Sequence, residues 1–284
     1  MAPKIAFIVE HKITADDRLA VSALEARGAL VSPAVWTDAG VDWDAFDLVV
    51  IRSPWDWQED AARFAALLAR LDAAGRVESR GAGRWLDKRY LLDLASRGAR
   101  IVPTHVVPVD ALARMVAECK YERAVIKPPL GAGGKRTVRF EASELPSAAS
   151  LAEVQSDGVV LLQPYVEEVV SDGEWSLVFF EGEFSHALKK RALAGEFRVQ
   201  EEYGGTVEPA TPPADVLADA KRVIAAAGER FLYARVDGIV SNRFGGFCLN
   251  ELEVVEPELF FRIDPRAPAR FAEAVLRRLK YHGA

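Results

Sequence analysis

Cysteine is scarce in this chain of 284 residues: there are two, Cys119 and Cys248, far apart and in no metal-binding or redox spacing. That excludes a disulfide-stapled scaffold and a zinc ribbon, and it fits a reduced, cytoplasmic protein. The four histidines, His11, His105, His186 and His282, are scattered without the spacing of a zinc site. There is no run of Lys or Arg and no basic stripe. With 36 basic against 42 acidic side chains the net charge is −6, which argues against nucleic acid as the main partner. No apolar window approaches the length of a membrane-spanning helix. The first apolar run, Ile5 to Val9, is too short for a signal peptide and ends at Glu10, so no membrane partner is expected. A Walker A sequence, a nucleophile elbow and any internal repeat are absent as well. What is left is an ordinary globular composition, half apolar and 27% charged, long enough for a large core and two or more domains.

The hydrophobic pattern predicts strands at 5–9, 31–36 and 46–52, with helices at 16–27 and 61–74. Leu19, Ala20, Ala23 and Leu24 form the buried stripe of the first helix. The third strand is apolar almost throughout, as suits a parallel strand covered on both faces. This order suggests a small doubly wound α/β domain. A helix at 86–97 and an extended connector at 101–104 follow, and the first domain is placed at 1–103. Next come a helix at 110–119, strands at 124–127, 137–140 and 159–163, and three antiparallel strands at 175–180, 183–190 and 198–202. The turn Phe180-Glu181-Gly182-Glu183 suits a hairpin. A helix at 214–231, strands at 234–241 and 247–254, and a helix at 268–281 complete the chain.

The sharpest constellation is acidic. In Asn250-Glu251-Leu252-Glu253 the two glutamates stand two residues apart, so on a strand they share a face, and Asp237 on a neighbouring strand can join them. Three carboxylates without His or Cys make a hard-oxygen site suited to Mg2+ and phosphate. A solvated strand face would give the same alternation. Lys127, at a strand end, precedes the glycine-rich run Gly131-Ala132-Gly133-Gly134, where backbone N–H groups can approach phosphate; a plain hairpin loop is the alternative. Gln163-Pro164-Tyr165-Val166 interrupts a ladder and leaves backbone groups free for an adenine edge, or is simply a kinked edge strand. Arg198, ahead of Gly204-Gly205, could aim at a transferring phosphoryl group. Arg52-Ser53-Pro54-Trp55 lies just past a buried strand, where open α/β sheets place ligands. It could clamp a carboxylate, or pack as core.

Taken in order, these parts resemble the ATP-grasp superfamily of carboxylate–amine ligases. Within it they are similar to the glutathione-synthetase-like members and to the O-ureido-serine cyclo-ligases of cycloserine biosynthesis. The resemblance runs over nearly the whole chain and rests on the order of motifs rather than any single one. It implies a two-lobed ATP-grasp domain after the α/β domain, with lobes at 104–166 and 167–284, the latter carrying the metal site. It implies ATP and Mg2+ as cofactors. Lys88 and Lys127 would hold the phosphates, and Gly131, Gly133 and Gly134 would close over them. Gln163, Tyr165 and Val166 would form the adenine hinge, and Glu174 would meet the ribose. Arg198 and Arg235 would serve catalysis, Asp237, Glu251 and Glu253 would hold Mg2+, and Arg52, Ser53 and Trp55 would contact substrate. The third metal position is often Asn in the superfamily, so Glu253 adds negative charge here.

The implied reaction activates a small amino-acid-like carboxylate as an acyl phosphate for attack by an amine, with both substrates small molecules. Intramolecular cyclisation, a small-molecule kinase, a peptide-modifying ligase and a catalytically silent nucleotide binder are the competing readings. The intact acidic set and both lysines argue against silence. Relatives commonly form homodimers, although the chain has no interface signature to count.

Overall fold

The computed structural model describes residues 1–78 and 81–282. The side chain of His282 lies outside that description. Three sheets organise the chain. The first is parallel, in the order β2-β1-β3, from β1 (Lys4–Val9), β2 (Leu30–Val35) and β3 (Leu48–Ser53). Helix α1 (Ala15–Glu25) starts at a Thr14 cap whose side chain accepts from the Asp17 N–H. Helix α2 (Ala61–Ala73) starts at Asp60 in the same way. Alternation along the strands assigns each face. Ile5, Phe7, Val9, Leu48 and Val50 pack with α1, and Ala6, Ile8, Val49 and Ile51 pack with Phe64, Leu68 and Leu71 of α2. Leu19 is not on the buried stripe: it is 43% exposed, and Asp17, Ala20, Val21 and Leu24 are buried instead.

After the short helix α3 (Tyr90–Ser96), a four-stranded antiparallel sheet runs β4-β7-β5-β6. It is built from β4 (His105–Pro108), β5 (Arg123–Lys127), β6 (Val138–Glu141) and β7 (Val159–Pro164), with α4 (Leu112–Cys119) and α5 (Ala148–Val154) between them. Ala124, Ile126, Val160 and Leu162 face these helices. The opposite face carries Val125, Lys127 and Gln163 into a cleft. Strand β4 and helix α5 are additions to the sequence-based expectation, and Ser147 caps α5 by accepting from the Ser150 N–H.

The third sheet is antiparallel, in the order β10-β9-β8-β11-β12. Past α6 (Glu168–Ser171), β8 (Glu174–Phe180) and β9 (Glu183–Arg191) form the expected hairpin, and Glu181 and Gly182 both take positive φ (51° and 86°), as a primed turn requires. The strand expected at 198–202 is absent. That segment is loop and a single turn at Glu201–Tyr203, and the pairing strand is β10 (Thr206–Pro209). Helix α7 (Ala214–Ala227) covers one face of the sheet through Val216, Ala220 and Val223. Strands β11 (Tyr233–Ser241) and β12 (Gly246–Glu253) close the sheet. Helix α8 (Ala267–His282) then returns to α1, and its Phe271 and Val275 complete the first sheet's core. No helix among the described residues is long and apolar enough to cross a membrane.

One buried ion pair links the first sheet to the rest. The Arg52 Nε and Nη2 donate to Asp17 Oδ1 at 3.0 and 2.8 Å, and Nη2 also donates to the Pro257 carbonyl at 3.1 Å. Both side chains are fully enclosed, and the guanidinium lies 5.1 Å from the centre of the Tyr233 ring. Removing one partner strands the other charge in a dry site. Asp17→Ala is expected to lower the unfolding free energy by about 3–5 kcal/mol. Denaturant titration would register this as an earlier midpoint, and a midpoint equal to wild type would count against the pair as a structural tie.

Candidate functional site

The cleft between the second and third sheets holds a cavity of about 820 Å³. One end is apolar, walled by Val102, Val125, Val166, Val169, Phe197 and Ile239, and the other carries Lys88, Lys127 and Lys135. A flat base with a polyanionic tail has that polarity. Gln163 is held in the hinge by its amide, which donates to Thr104 Oγ1 at 2.9 Å. Tyr165 lies between the guanidinium groups of Arg123 and Arg139, 5.3 and 5.2 Å from the ring centre. The glycine-rich loop joins β5 to β6, and Gly133 and Gly134 adopt φ of 63° and 66°. A Cβ on Gly134 would meet the Gln200 amide at 3.2 Å, so this loop and the 197–205 segment face one another across the cleft.

The two lysines differ electrostatically. Lys88, just ahead of α3, donates to the Gly131 carbonyl and pairs with Glu251. Burial disfavours its charge, but Glu251 outweighs burial and holds its pKa above the ordinary value. Lys127 Nζ donates to the Asn250 side-chain and backbone oxygens, both at 3.4 Å. Burial dominates there, assisted by Lys88, and its pKa falls to about 8.

A second cavity of about 1210 Å³ adjoins the first and shares Ala132, Lys135, Glu174, Val199, Gln200, Asn250 and Glu251 with it. Its floor is the β8-β9-β11-β12 face, where alternation carries Glu174, Lys190, Arg235 and Asp237 inward. The register sets Asp237 opposite Glu251 and Arg235 opposite Glu253. It shifts between Asp237 and Gly238, which leaves Asn250 as an extra residue on β12. Asn250 thereby reaches the same cavities as Glu251, and its amide donates to Glu174 Oε2 at 2.9 Å. Arg235 is forked: Nε and Nη2 bind Asp237 at 2.8–3.0 Å, and Nη2 reaches Glu253 at 2.5 Å. Lys190 Nζ lies 3.3 Å from Asp237 and 3.5 Å from Glu174.

These contacts sort the acids. Burial opposes the Asp237 charge, but Arg235 and Lys190 prevail and hold its pKa at about 2. Glu251 is likewise lowered, with Lys88 and Lys127 overcoming burial. Glu253 goes the other way. Burial, together with Glu251 and Asp237, outweighs its share of Arg235 and raises it to about 8. The floor carries more carboxyl groups than cations, and these donors are hard oxygens, which suits a divalent cation such as Mg2+. As posed, among the described residues, no three His, Cys, Asp or Glu side chains stand together as a metal site. Asp237 is turned onto Arg235 and Lys190, and Glu251 onto Lys88.

Most of the residues singled out from the sequence come together. Lys88, Lys127, Gly131, Gly134, Gln163, Tyr165, Val166, Glu174 and Arg198 line the first cavity, and Gly133, Trp55, Arg235, Asp237, Glu251 and Glu253 line the second. Arg52 and Ser53 line neither. The guanidinium expected to clamp a substrate carboxylate is enclosed against Asp17, which its burial required, and Ser53 is 2% exposed. Arg198 borders the first cavity but is bound to Glu196 at 2.7 Å and lies 3.6 Å from the Tyr203 ring centre. Sequence reasoning missed Lys190, Asn250, Gln200 and Glu256. For Lys190 a signal existed, since it stands two residues after the buried Leu188 on a strand.

Comparison with known proteins places this geometry. Residues 85–240 match the family described as prokaryotic glutathione synthetase, ATP-grasp domain, and residues 5–78 match the N-terminal domain of D-cycloserine synthetase DcsG. The cycloserine biosynthesis protein DcsG of Streptomyces lavendulae is 36% identical over 269 residues, covering 86% of this chain and 87% of that protein. The crystal structure of D-cycloserine synthetase DcsG superposes with a TM-score of 0.87 at 31% identity, over 97% of this chain and 99% of that one. A D-alanine–D-alanine ligase from Bacillus anthracis, complexed with ATP, shares the fold: TM-score 0.70, 16% identity, 99% of this chain and all of that one.

The depressed Lys127 yields a signed expectation. A polyphosphate arriving beside it favours the ammonium form and raises its pKa again. At about pH 9 the free site holds Lys127 mostly neutral, so nucleotide binding should take up close to one proton, and at about pH 6.5 none. Calorimetry in two buffers of different ionisation enthalpy measures the uptake. Unchanged uptake in Lys127→Ala would assign the proton elsewhere.

Proposed function

This chain belongs to the ATP-grasp family, with an ATP-grasp domain of the prokaryotic glutathione synthetase kind, and from that premise we propose how its two cavities divide the reaction. It is an ATP-dependent carbon–nitrogen ligase, with ATP and Mg2+ as its cofactors. In our reading the first cavity takes ATP. The base lies in the apolar end against Gln163, Tyr165 and Val166, Glu174 meets the ribose, and the triphosphate runs to Lys88 and Lys127 beneath Gly131, Gly133 and Gly134. Asp237, Glu251 and Glu253 would hold Mg2+, which when bound neutralises charge on the transferring phosphoryl group. Arg235 keeps that floor in register, and Arg198 is brought over the reacting centre by its loop. The second cavity takes a small carboxylic acid on the Trp55 side.

The single observation behind this division is that the two cavities share Glu174, Asn250 and Glu251. The triphosphate end of one is therefore the wall of the other. A carboxylate there attacks the γ-phosphate and displaces ADP, and an amine then attacks the acyl phosphate, losing a proton and expelling phosphate. No side-chain nucleophile is needed, because positioning and electrostatics supply the catalysis. The apposed loops at 131–134 and 197–205 exclude water from the acyl phosphate. The form we favour is intramolecular cyclisation of an O-ureido-serine-type substrate, on the strength of the likeness to DcsG along nearly the whole chain. On this reading residues 1–103 are the substrate-side domain, 104–166 the small lobe and 167–284 the lobe with the metal site. A cytoplasmic homodimer belongs to the same reading, and the free thiols of Cys119 and Cys248 suit that compartment.

The test is ADP release with Mg-ATP and O-ureido-serine or pooled D- and L-amino acids, with hydroxylamine present to trap acyl phosphate. Substrate-dependent ADP with hydroxamate supports the ligase reading, and ADP with a stable phosphorylated hydroxyl product would make it a kinase. Glu251→Gln is expected to cut ADP formation by about 100-fold or more while leaving the fold intact. Retained turnover would remove Glu251 from the metal site.

A further inference from the structure

The second cavity contains a buried carboxylate that the division above does not use. Glu256 follows β12 and is 9% exposed. Its Oε1 accepts the indole N–H of Trp57 at 2.5 Å, and its backbone carbonyl accepts the indole N–H of Trp55 at 3.0 Å. Trp57 is enclosed in the core, whereas Trp55 stands at the cavity edge, 36% exposed. The first sheet's domain thus supplies one donor that orients this carboxylate, Trp57, and a second, Trp55, that holds its backbone.

The charge inventory of the cavity sets Glu256 apart. Glu174 and Asp237 share Lys190, Asp237 and Glu253 share Arg235, Glu251 has Lys88, and Glu258 has Arg262. Among the described residues Glu256 is the buried carboxylate of this lining without an ion-pair partner. Burial raises its pKa, and the Trp57 donor and Lys88, which acts only through space, offset that in part. An enclosed carboxylate lacking a cation is costly, and a bound cation removes that cost.

We propose that Glu256, oriented by Trp57 and flanked by Trp55, receives the ammonium group of the acid that this enzyme activates. The site therefore selects zwitterionic amino acids over hydroxy acids and simple carboxylic acids. The inference rests on the ligase reading and assigns its substrate class. With the ammonium at Glu256, the substrate's own carboxylate, one carbon away, lies in the same cavity as Asn250 and Glu251, which border the nucleotide cleft. Glu256 is a specificity residue: it takes no part in phosphoryl transfer.

The test uses protein loaded with Mg2+ and a non-hydrolysable ATP analogue. It is titrated calorimetrically with D-alanine and O-ureido-serine, and with their desamino counterparts, propionate and 3-(ureidooxy)propionate. The wild type should bind the amino forms roughly 10- to 100-fold more tightly than the desamino forms. Glu256→Gln should erase that difference without changing nucleotide affinity, and Glu256→Asp should keep part of it. Trp57→Phe, which removes the orienting donor but keeps an aromatic ring in the core, should weaken the amino forms alone while nucleotide affinity stays unchanged, which guards against a folding defect. The proposal is overturned if Glu256→Gln keeps the preference, if the wild type shows none, or if the loaded wild type binds neither amino acid. Failure of the wild type to bind the nucleotide would overturn the ligase reading itself.

Discussion

Arg235 is forked between two acids on neighbouring strands, and the floor of the second cavity is arranged around it. Asp237 stands two residues away on β11, and Glu253 stands opposite on β12, with the guanidinium between them. Unbridged, two carboxylates on adjacent strands of one face would repel. A planar guanidinium satisfies both at once through donors held in a fixed fork. Its third arm, Nη1, donates to the Glu258 carbonyl at 2.9 Å, so the chain leaving β12 is drawn back under the same group. That return brings Glu256 and Pro257 beneath the first sheet, where Pro257 meets Arg52 and Glu256 meets the two indoles.

From this floor the walls follow. Tyr90 of α3 accepts the Leu252 N–H at 2.9 Å and fixes the helix whose preceding residues carry Lys88 over Glu251. The glycine-rich loop comes down from the second sheet, and its Ala132 N–H donates to Gln58 of the first domain at 3.3 Å. Three separately built units therefore each contribute one wall. None of them holds the site alone, which is why the chemistry-bearing side chains are spread from Trp55 to Glu258. The cavity junction is polar on the floor and glycine-rich above, so a charged ligand is gripped from below and covered by backbone from above.

Much of this was legible in the sequence, for reasons that can be named. The alternation Glu251-Leu252-Glu253 and the pattern Ala124-Val125-Ile126-Lys127 follow the two-residue period of strands, and the structure keeps both. Asn250 was illegible because the bulge beside Gly238 breaks that period: a regular strand would turn it away from Glu251. A Cβ on Gly238 would come within 2.3 Å of the Phe247 ring, so the irregularity is built into the packing. Arg52 was misread because its partner, Asp17, lies 35 residues earlier, and no local pattern reveals a distant counter-charge. The segment at 198–202 has the composition of a strand. Gly205, however, folds back so that its N–H meets the Gln200 carbonyl at 3.1 Å, and ladder pairing begins only at Thr206.

The return of α8 to α1 has a consequence for how the molecule is made. The face of the first sheet carrying Ile5, Phe7 and Val50 is closed by Phe261, Phe271 and Val275, which follow every other strand in the chain. During synthesis this sheet emerges with α1 alone on that face, and the part closed by α8 stays uncovered until both later sheets have left the ribosome. The nascent first domain therefore waits with part of its apolar surface open to chaperones or to misassociation until α8 arrives.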